Sequence, residues 1–298
     1  MTSMSTSDWN RLVATFCPQV FLCTVDGSID DHKVDPYWPS TIDYYLSNSF
    51  LICQENRFTN PTESLLGQCP DSNSYLVAAK DSYDGQHSAT APASQGSETQ
   101  VLTAPIHVHI RNASGGSPGP GEIDIQYWFF YPYNGKVDFA TGTSTGLGEH
   151  QGDWEHVTVR LNKDWRTAPT LKEVYYAAHA NEGSWNDDPP LYGGTHPIAY
   201  SAWHSHASYP TTGVHHRAVV LADYTSAGWQ WGPEFYESAT GQVSVAQIAA
   251  IDSGVYETGD DQIPDAPWIA FKGRWGDTGT SSPPNPPVQG YWTSDPSA

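Results

Sequence analysis

Asp153 and Glu155 stand two residues apart in the run Gly148-Glu-His-Gln-Gly-Asp-Trp-Glu-His-Val-Thr-Val-Arg-Leu161, with His150 just upstream. From Trp154 to Leu161 the residues alternate as in a β-strand, where side chains two apart share a face. Both carboxylates therefore point the same way. His150, placed after a glycine-rich loop and before the strand, can fold over that face. An imidazole and two carboxylates drawn close together repel and desolvate one another unless a cation or a proton lies between them. That is the chemistry of a divalent-cation site. Mixed nitrogen and oxygen ligation suits Mg²⁺ or Ca²⁺, with Mn²⁺ as a further candidate, better than a structural zinc, which takes thiolates and imidazoles.

The chain carries 12 histidines against 13 Lys and Arg, a generous supply of groups that titrate near neutrality. His204 and His206 share a strand face by alternation, as do His107 and His109. His204 and His206 are the candidate general acid and base beside the cation. His156 points away from Glu155, and His215 and His216 read as surface. Trp128, Tyr133, Trp154 and Trp203 are candidates to line a ligand groove, because aromatic faces suit sugars and terpenoid or polyketide rings; core packing is the commoner fate of a strand tryptophan. Gly142-Thr-Ser-Thr-Gly146 has the spacing of a nucleophile elbow but lies in a small-residue loop, without the buried strand and helix that an elbow needs. Asn112-Ala-Ser is a formal glycosylation sequon.

The elements that must hold these groups are strands. Candidates run over 104–111, 122–131, 154–161, 173–179, 198–206 and 217–223, and turn clusters such as Asp187-Asp-Pro-Pro190 separate most of them. That spacing, with no helices between the strands, gives an all-β fold, an antiparallel β-sandwich with short peripheral helices. Ser40 is a candidate N-cap for one such helix, carrying Ile42, Tyr45 and Leu46. Val157, Val159 and Leu161 share the parity of Asp153 and Glu155, so the apolar end of that face is core and its polar end is the rim. Residues 80–100 read as an exposed loop. One domain spans 1–298, with a polar N-terminus over 1–10 and a Pro/Gly-rich tail over 281–298 that drapes over the surface.

Composition bounds the partners. The 12 Trp, 17 Tyr, 26 Gly and 23 Pro fit a β-rich chain with many turns and ample material for a core. A formal net charge of −20 repels nucleic acid and anionic membranes at long range. No window approaches the roughly 18 apolar residues of a membrane span. The first residues lack the pattern of a secretory signal, so a cytoplasmic or otherwise intracellular setting is expected, and a secreted one only if a leader has been removed. Cys17, Cys23, Cys53 and Cys69 show no zinc spacing, and without a leader they are expected to be buried free thiols.

Four blocks, Pro105-Ile-His-Val-His-Ile110, Asp124-Ile-Gln-Tyr-Trp-Phe-Phe-Tyr-Pro-Tyr-Asn-Gly135, the Gly148 run and Tyr200-Ser-Ala-Trp-His-Ser-His-Ala-Ser-Tyr-Pro210, resemble in order and spacing the vacuolar-protein-sorting family numbered sixty-two. So do Asp35-Pro-Tyr-Trp-Pro-Ser40 and Trp268-Ile-Ala-Phe-Lys-Gly-Arg-Trp-Gly-Asp277. The family name denotes a sorting phenotype rather than a chemistry. The His-x-x-Asp-Trp-Glu run is also similar to the heart of the necrosis- and ethylene-inducing-like cytolysins, β-sandwiches that hold calcium or magnesium and bind glycosylated sphingolipid head groups. That resemblance implies metal-ligand roles for His150, Asp153 and Glu155, and puts a further acidic ligand of that family at Asn134, a neutral amide here. It also puts Gly152 where that family has a second histidine. The residues themselves point to a metal-assisted acid–base enzyme acting on a small organic or glycosidic substrate; as alternatives, the cytolysin resemblance implies a protein that recognises glycolipid head groups, and the family name a vacuolar trafficking factor.

Overall fold

The computed structural model describes residues 3–23, 35, 37–79, 104–113, 121–136, 138–139, 148–179, 182–217, 221–231, 247–252, 254–279 and 281–294. The expected loop at 80–100 and the 142–146 pattern lie outside the described residues, and the Asn112 sequon lies only partly within them.

Alternation along two long strands organises the rest. The strand His150–Leu161, called the motif strand below, pairs antiparallel with Ile123–Asn134, from Asn134 opposite His150 to Ile123 opposite Leu161. Ile125, Tyr127, Phe129 and Tyr131 of one strand join Val157, Val159 and Leu161 of the other in one apolar cluster. Trp128, Phe130 and Trp154 face the opposite side and enter a second cluster. With both faces covered, the strands read as long apolar runs. Each large apolar side chain withdrawn from water contributes roughly 1.5–3 kcal/mol.

Among the described residues the central sheet has six strands, in the order Ser184–Asn186, Leu171–Tyr176, motif strand, Ile123–Asn134, His107–Asn112, Gln247–Ile251. Its last pair is parallel and the others are antiparallel. A second sheet is built on Gln19–Leu22, which runs antiparallel to Trp229–Trp231 and parallel to His196–Ser201. Val20, Leu22, Ala199 and Trp231 of this sheet share the first cluster with Trp9, Leu12 and Val13 of the helix Thr6–Thr15. Two sheets enclosing one core make a β-sandwich, mostly antiparallel, as the strand pattern implies. The second cluster is roofed by the short helices Ile42–Ser47, Glu63–Gly67 and Gly290–Thr293 and the 3₁₀ turn Pro267–Ala270. The first of these is capped by Thr41, one residue after the expected cap, whose hydroxyl accepts from the Tyr44 N–H.

Several expectations need correction. The motif strand begins at His150, because the ladder with Ile123–Asn134 extends that far. The strand expected over 198–206 ends at Ser201. His204 and His206 have left-handed backbone, at φ +64° and +55°, so they lie in a turn and do not share a strand face. Cys53 and Cys69 form a disulfide, brought together by the hairpin Ser49–Cys53/Asn56–Thr59 and the helix Glu63–Gly67. Free thiols remain at Cys17 and Cys23, both buried. The C-terminal segment does not merely drape: Trp292 lies flat on His109 with centroids 3.7 Å apart, and the buried Asn285 side chain donates to the carbonyls of Trp268 and Phe271 at 3.0 and 2.9 Å. Among the described residues no helix is long and apolar enough to cross a membrane.

Candidate functional site

Among the described residues, pairing along one edge of the motif strand stops short of its beginning. Leu171–Tyr176 follows it only from Leu161 back to Val157, and the Ala177 N–H then donates to the His156 carbonyl at 3.2 Å. The Ala177 carbonyl turns instead to the Ser208 N–H, 2.8 Å away, so the neighbouring chain leaves the sheet here. At this edge lies a cleft of about 340 Å³. His150, Asp153 and Glu155 line it, with Asn134 and Trp154. His179, Ser205 and Arg217 form one wall, and Pro283 and Tyr291 of the C-terminal segment belong to another.

Gly152 lets this geometry exist. Its φ is +60°, and a Cβ there would lie 2.7 Å from Trp275 Cβ and closer still to the Trp275 carbonyl oxygen. Glycine alone combines that backbone with that approach. The left-handed step interrupts strict alternation, so His150 and Asp153, three apart, line the same cleft. His150 Nδ1 stands 3.0 Å from the Gly152 carbonyl, which fixes the ring.

Asp153 is buried and held by His206, whose Nδ1 is 2.9 Å from Asp153 Oδ2. The other ring nitrogen faces Asp35 Oδ1 at 3.8 Å, and the ring lies flat on Tyr131, centroids 3.8 Å apart. Burial alone would push the His206 pKa down. The hydrogen bond to Asp153, with the negative charges of Asp35 and Asp153, outweighs it and pushes it up to about 9. His206 is therefore an imidazolium clamp between two carboxylates and does not line the cleft. His204 also stands outside it, against Tyr37 and Trp203, with its backbone N–H on Asp35.

A second buried carboxylate organises the opposite wall. Asp223 accepts from Ser205 Oγ at 2.9 Å and Tyr209 O–H at 2.7 Å, and His179 Nε2 lies 2.6 Å from it. Burial would raise its pKa, but these donors, His179 foremost, bring it below the ordinary carboxylate value. Glu155 has the reverse balance. Burial, then the negative charges of Asp153 and Asp223, push its carboxyl well above the usual range, and Arg217 offsets only part. On the other side of the strand, burial and then Arg111 push His156 down to about 3, so that ring is neutral.

The sequence-expected residues thus divide. His150, Asp153, Glu155, Asn134 and Trp154 come together in the cleft. Asn134 braces it, donating from Nδ2 to the Gly135 and Gly148 carbonyls at 2.8 and 3.1 Å. Trp128 is fully buried against His156, Tyr133 donates to Glu149 at 2.8 Å, and neither Tyr133 nor Trp203 lines the cleft. The residues that pattern reading missed are His179 and Asp223. Each closes an expected strand, which is a weak signal; their pairing across 44 residues has none.

For a cation, carboxylate and amide oxygens with an imidazole are donors of the kind a hard ion takes. The side chains are not gathered round one point, however: among the described residues no group of three or more His, Cys, Asp or Glu is arranged to hold a metal ion. One oxygen of Asp153 is already taken by His206.

The sequence blocks place the chain in a defined family. Residues 3–280 match the family described as vacuolar protein sorting-associated protein 62, and the chain belongs to that family. Curated relatives from Saccharomyces cerevisiae (strain ATCC 204508 / S288c) include vacuolar protein sorting-associated protein 62, 30% identical over 175 residues. Another is the putative vacuolar protein sorting-associated protein TDA6, 28% identical over 183 residues. Each match covers 53% of this chain but only 35% and 36% of the relative, so the chain spans about a third of their length. Among solved structures it is similar to non-toxic HaNLP3, with TM-score 0.36, 13% identity, and coverage of 76% of this chain and 74% of that one. It is also similar to NLPPya in complex with glucosamine, with TM-score 0.32, 18% identity, and coverage of 74% and 69%. At these scores the likeness carries no inference about site or ligand.

Proposed function

We propose that the cleft is a cation-assisted acid–base site acting on a small hydroxyl-bearing organic or glycosidic substrate. One arrangement supports this reading: Asp153, Glu155 and an imidazole oriented by a carboxylate, His179 on Asp223, all face the same cavity. To hold Mg²⁺ or Ca²⁺, with Mn²⁺ a lesser candidate, His150, Asp153 through its second oxygen and Glu155 would have to close on the ion from positions that are not gathered round one point, with the Asn134 amide oxygen a weaker partner. Such an ion, when bound, polarises a substrate oxygen and makes its hydroxyl more acidic.

The chain's own groups do the rest. Asp223 holds the His179 proton on Nε2, leaving Nδ1 to take a proton from the substrate. His206 acts by positioning Asp153. The role expected of His204 and His206 as proton carriers thus passes to His179. The Cys53–Cys69 bridge favours an oxidising lumen over a reducing cytosol, and family membership is compatible with a place in vacuolar sorting.

The test is turnover. With Mg²⁺ or Ca²⁺ supplied, a panel of chromogenic aryl glycosides and hydroxy-carbonyl compounds should contain a substrate class. His179→Ala should then lower kcat/KM by about 100-fold or more without altering cation binding. A silent panel, or an undiminished His179→Ala protein, refutes the reading. Chelator-sensitive leakage of liposomes bearing glycosylated sphingolipids, without turnover, would move the site to head-group recognition.

A further inference from the structure

Arg217 is the one permanently positive side chain among the described residues that line the cleft. It stands at the end of the antiparallel pair Gly213–His216 and Leu221–Thr225, where its backbone N–H donates to the Leu221 carbonyl at 2.9 Å. Its charge is felt by Glu155 on the motif strand and by Tyr209 beside Asp223. The guanidinium is therefore close to both groups of carboxylates.

A guanidinium offers several N–H donors in a planar fork. Here only Nε is engaged among the described residues, on Glu182 Oε2 at 2.9 Å. The pair is uneven: the Arg217 side chain is 15% exposed, whereas Glu182, which does not line the cleft, is 45% exposed. The cleft's own carboxylates do not complete the fork. Asp153 turns to His206, and Asp223 to Ser205, Tyr209 and His179. Neither these two nor Glu155 comes within ion-pair distance of Arg217. Largely buried donors on the wall of a cavity call for an acceptor. The Nη1–Nη2 pair has the spacing at which a carboxylate accepts two parallel hydrogen bonds. A phosphate dianion would meet stronger repulsion from the neighbouring carboxylates.

We propose that Arg217 makes the cleft selective for acids: the substrate carries a carboxylate that bonds the Nη1–Nη2 pair of Arg217, besides the hydroxyl or glycosidic group offered to His179. This rests on the acid–base reading of the cleft and names its substrate class as hydroxy acids and glycosides of uronic acids. The formal charge of −20 does not oppose it at contact, because charges more than about 8–10 Å apart are screened at physiological salt.

Two pairs of probes differ only in the acid: nitrophenyl glucuronide against nitrophenyl glucoside, and mandelate against styrene glycol. Calorimetric titration with chelator present should show at least one acid bound roughly tenfold more tightly than its neutral partner, the worth of one charge-assisted hydrogen bond. Arg217→Met, checked for folding by circular dichroism, should lose the preference and leave the affinity for the neutral probe unchanged. Arg217→Lys, which keeps the charge without the fork, should retain part of it. A wild-type protein that binds neither acid better than its partner overturns the assignment, whatever the variants do. So does a preference that Arg217→Met keeps, or one that appears only with Mg²⁺, which would put the carboxylate on the cation. His179→Ala should keep the preference. Turnover of neutral substrates without it therefore refutes this assignment alone, and the preference beside a silent substrate panel refutes the acid–base reading alone.

Discussion

Raising the pH from 6.5 to 9.5 in the presence of chelator should remove about 3 kcal/mol of stability through His206 alone. The folded pKa is pushed up to about 9, whereas a free imidazole titrates near 6.5. A group whose pKa is raised by folding stabilises the fold fully below its unfolded value and loses that contribution as the pH climbs through the folded one. The loss therefore falls in the window between the two. Its cause is local: unprotonated His206 leaves Asp153 and Asp35, both buried, facing each other without the cation between them. Urea midpoints at several pH values read this directly. His206→Gln should be less stable at pH 6.5 and nearly flat across the window. A parallel slope in both proteins would show that His206 is not the group responsible.

Gly152→Ala should be as damaging, by roughly 3 kcal/mol, from left-handed strain together with a clash against backbone. The atom in the way belongs to the Trp275 carbonyl, which the Tyr45 hydroxyl also holds, so it cannot swing aside like a side-chain tip. Thermal melts would register the loss. Because Gly152 also sets the turn between His150 and Asp153, the surviving folded protein should bind cation more weakly than wild type. A variant with unchanged melting temperature would mean that the segment around Trp275 stands further off than described.

How much of this was readable in the chain depends on range. The two long strands, their parities and the core at Val157, Val159 and Leu161 follow from alternation, a local property. So does the gathering of Asp153 and Glu155 at the polar end. His204 and His206 defeated the same rule because a left-handed residue is invisible in a pattern of polar and apolar letters. His206 reaches Asp153 through a turn rather than along a strand. Trp128 and Tyr133 show a second limit: aromatic residues on strands advertise burial, and which of them borders an opening depends on where a neighbouring strand departs. The Asp223–His179 pair and the disulfide depend on chain segments meeting in three dimensions. The C-terminal segment hid its role because Asn285 and Trp292 act through backbone carbonyls and a flat stacking contact, neither of which leaves a periodic trace.

The proposed function needs the carboxylates at the open edge of the motif strand to take up a divalent cation. Isothermal titration of metal-stripped protein with calcium and with magnesium tests it most directly. One ion should bind saturably, with Kd in the range of roughly 10⁻⁵–10⁻³ M for at least one of the two, and Glu155→Gln should weaken it severely. No saturable heat with either ion at concentrations well above that range, or equal binding by the Glu155→Gln protein, would contradict the account.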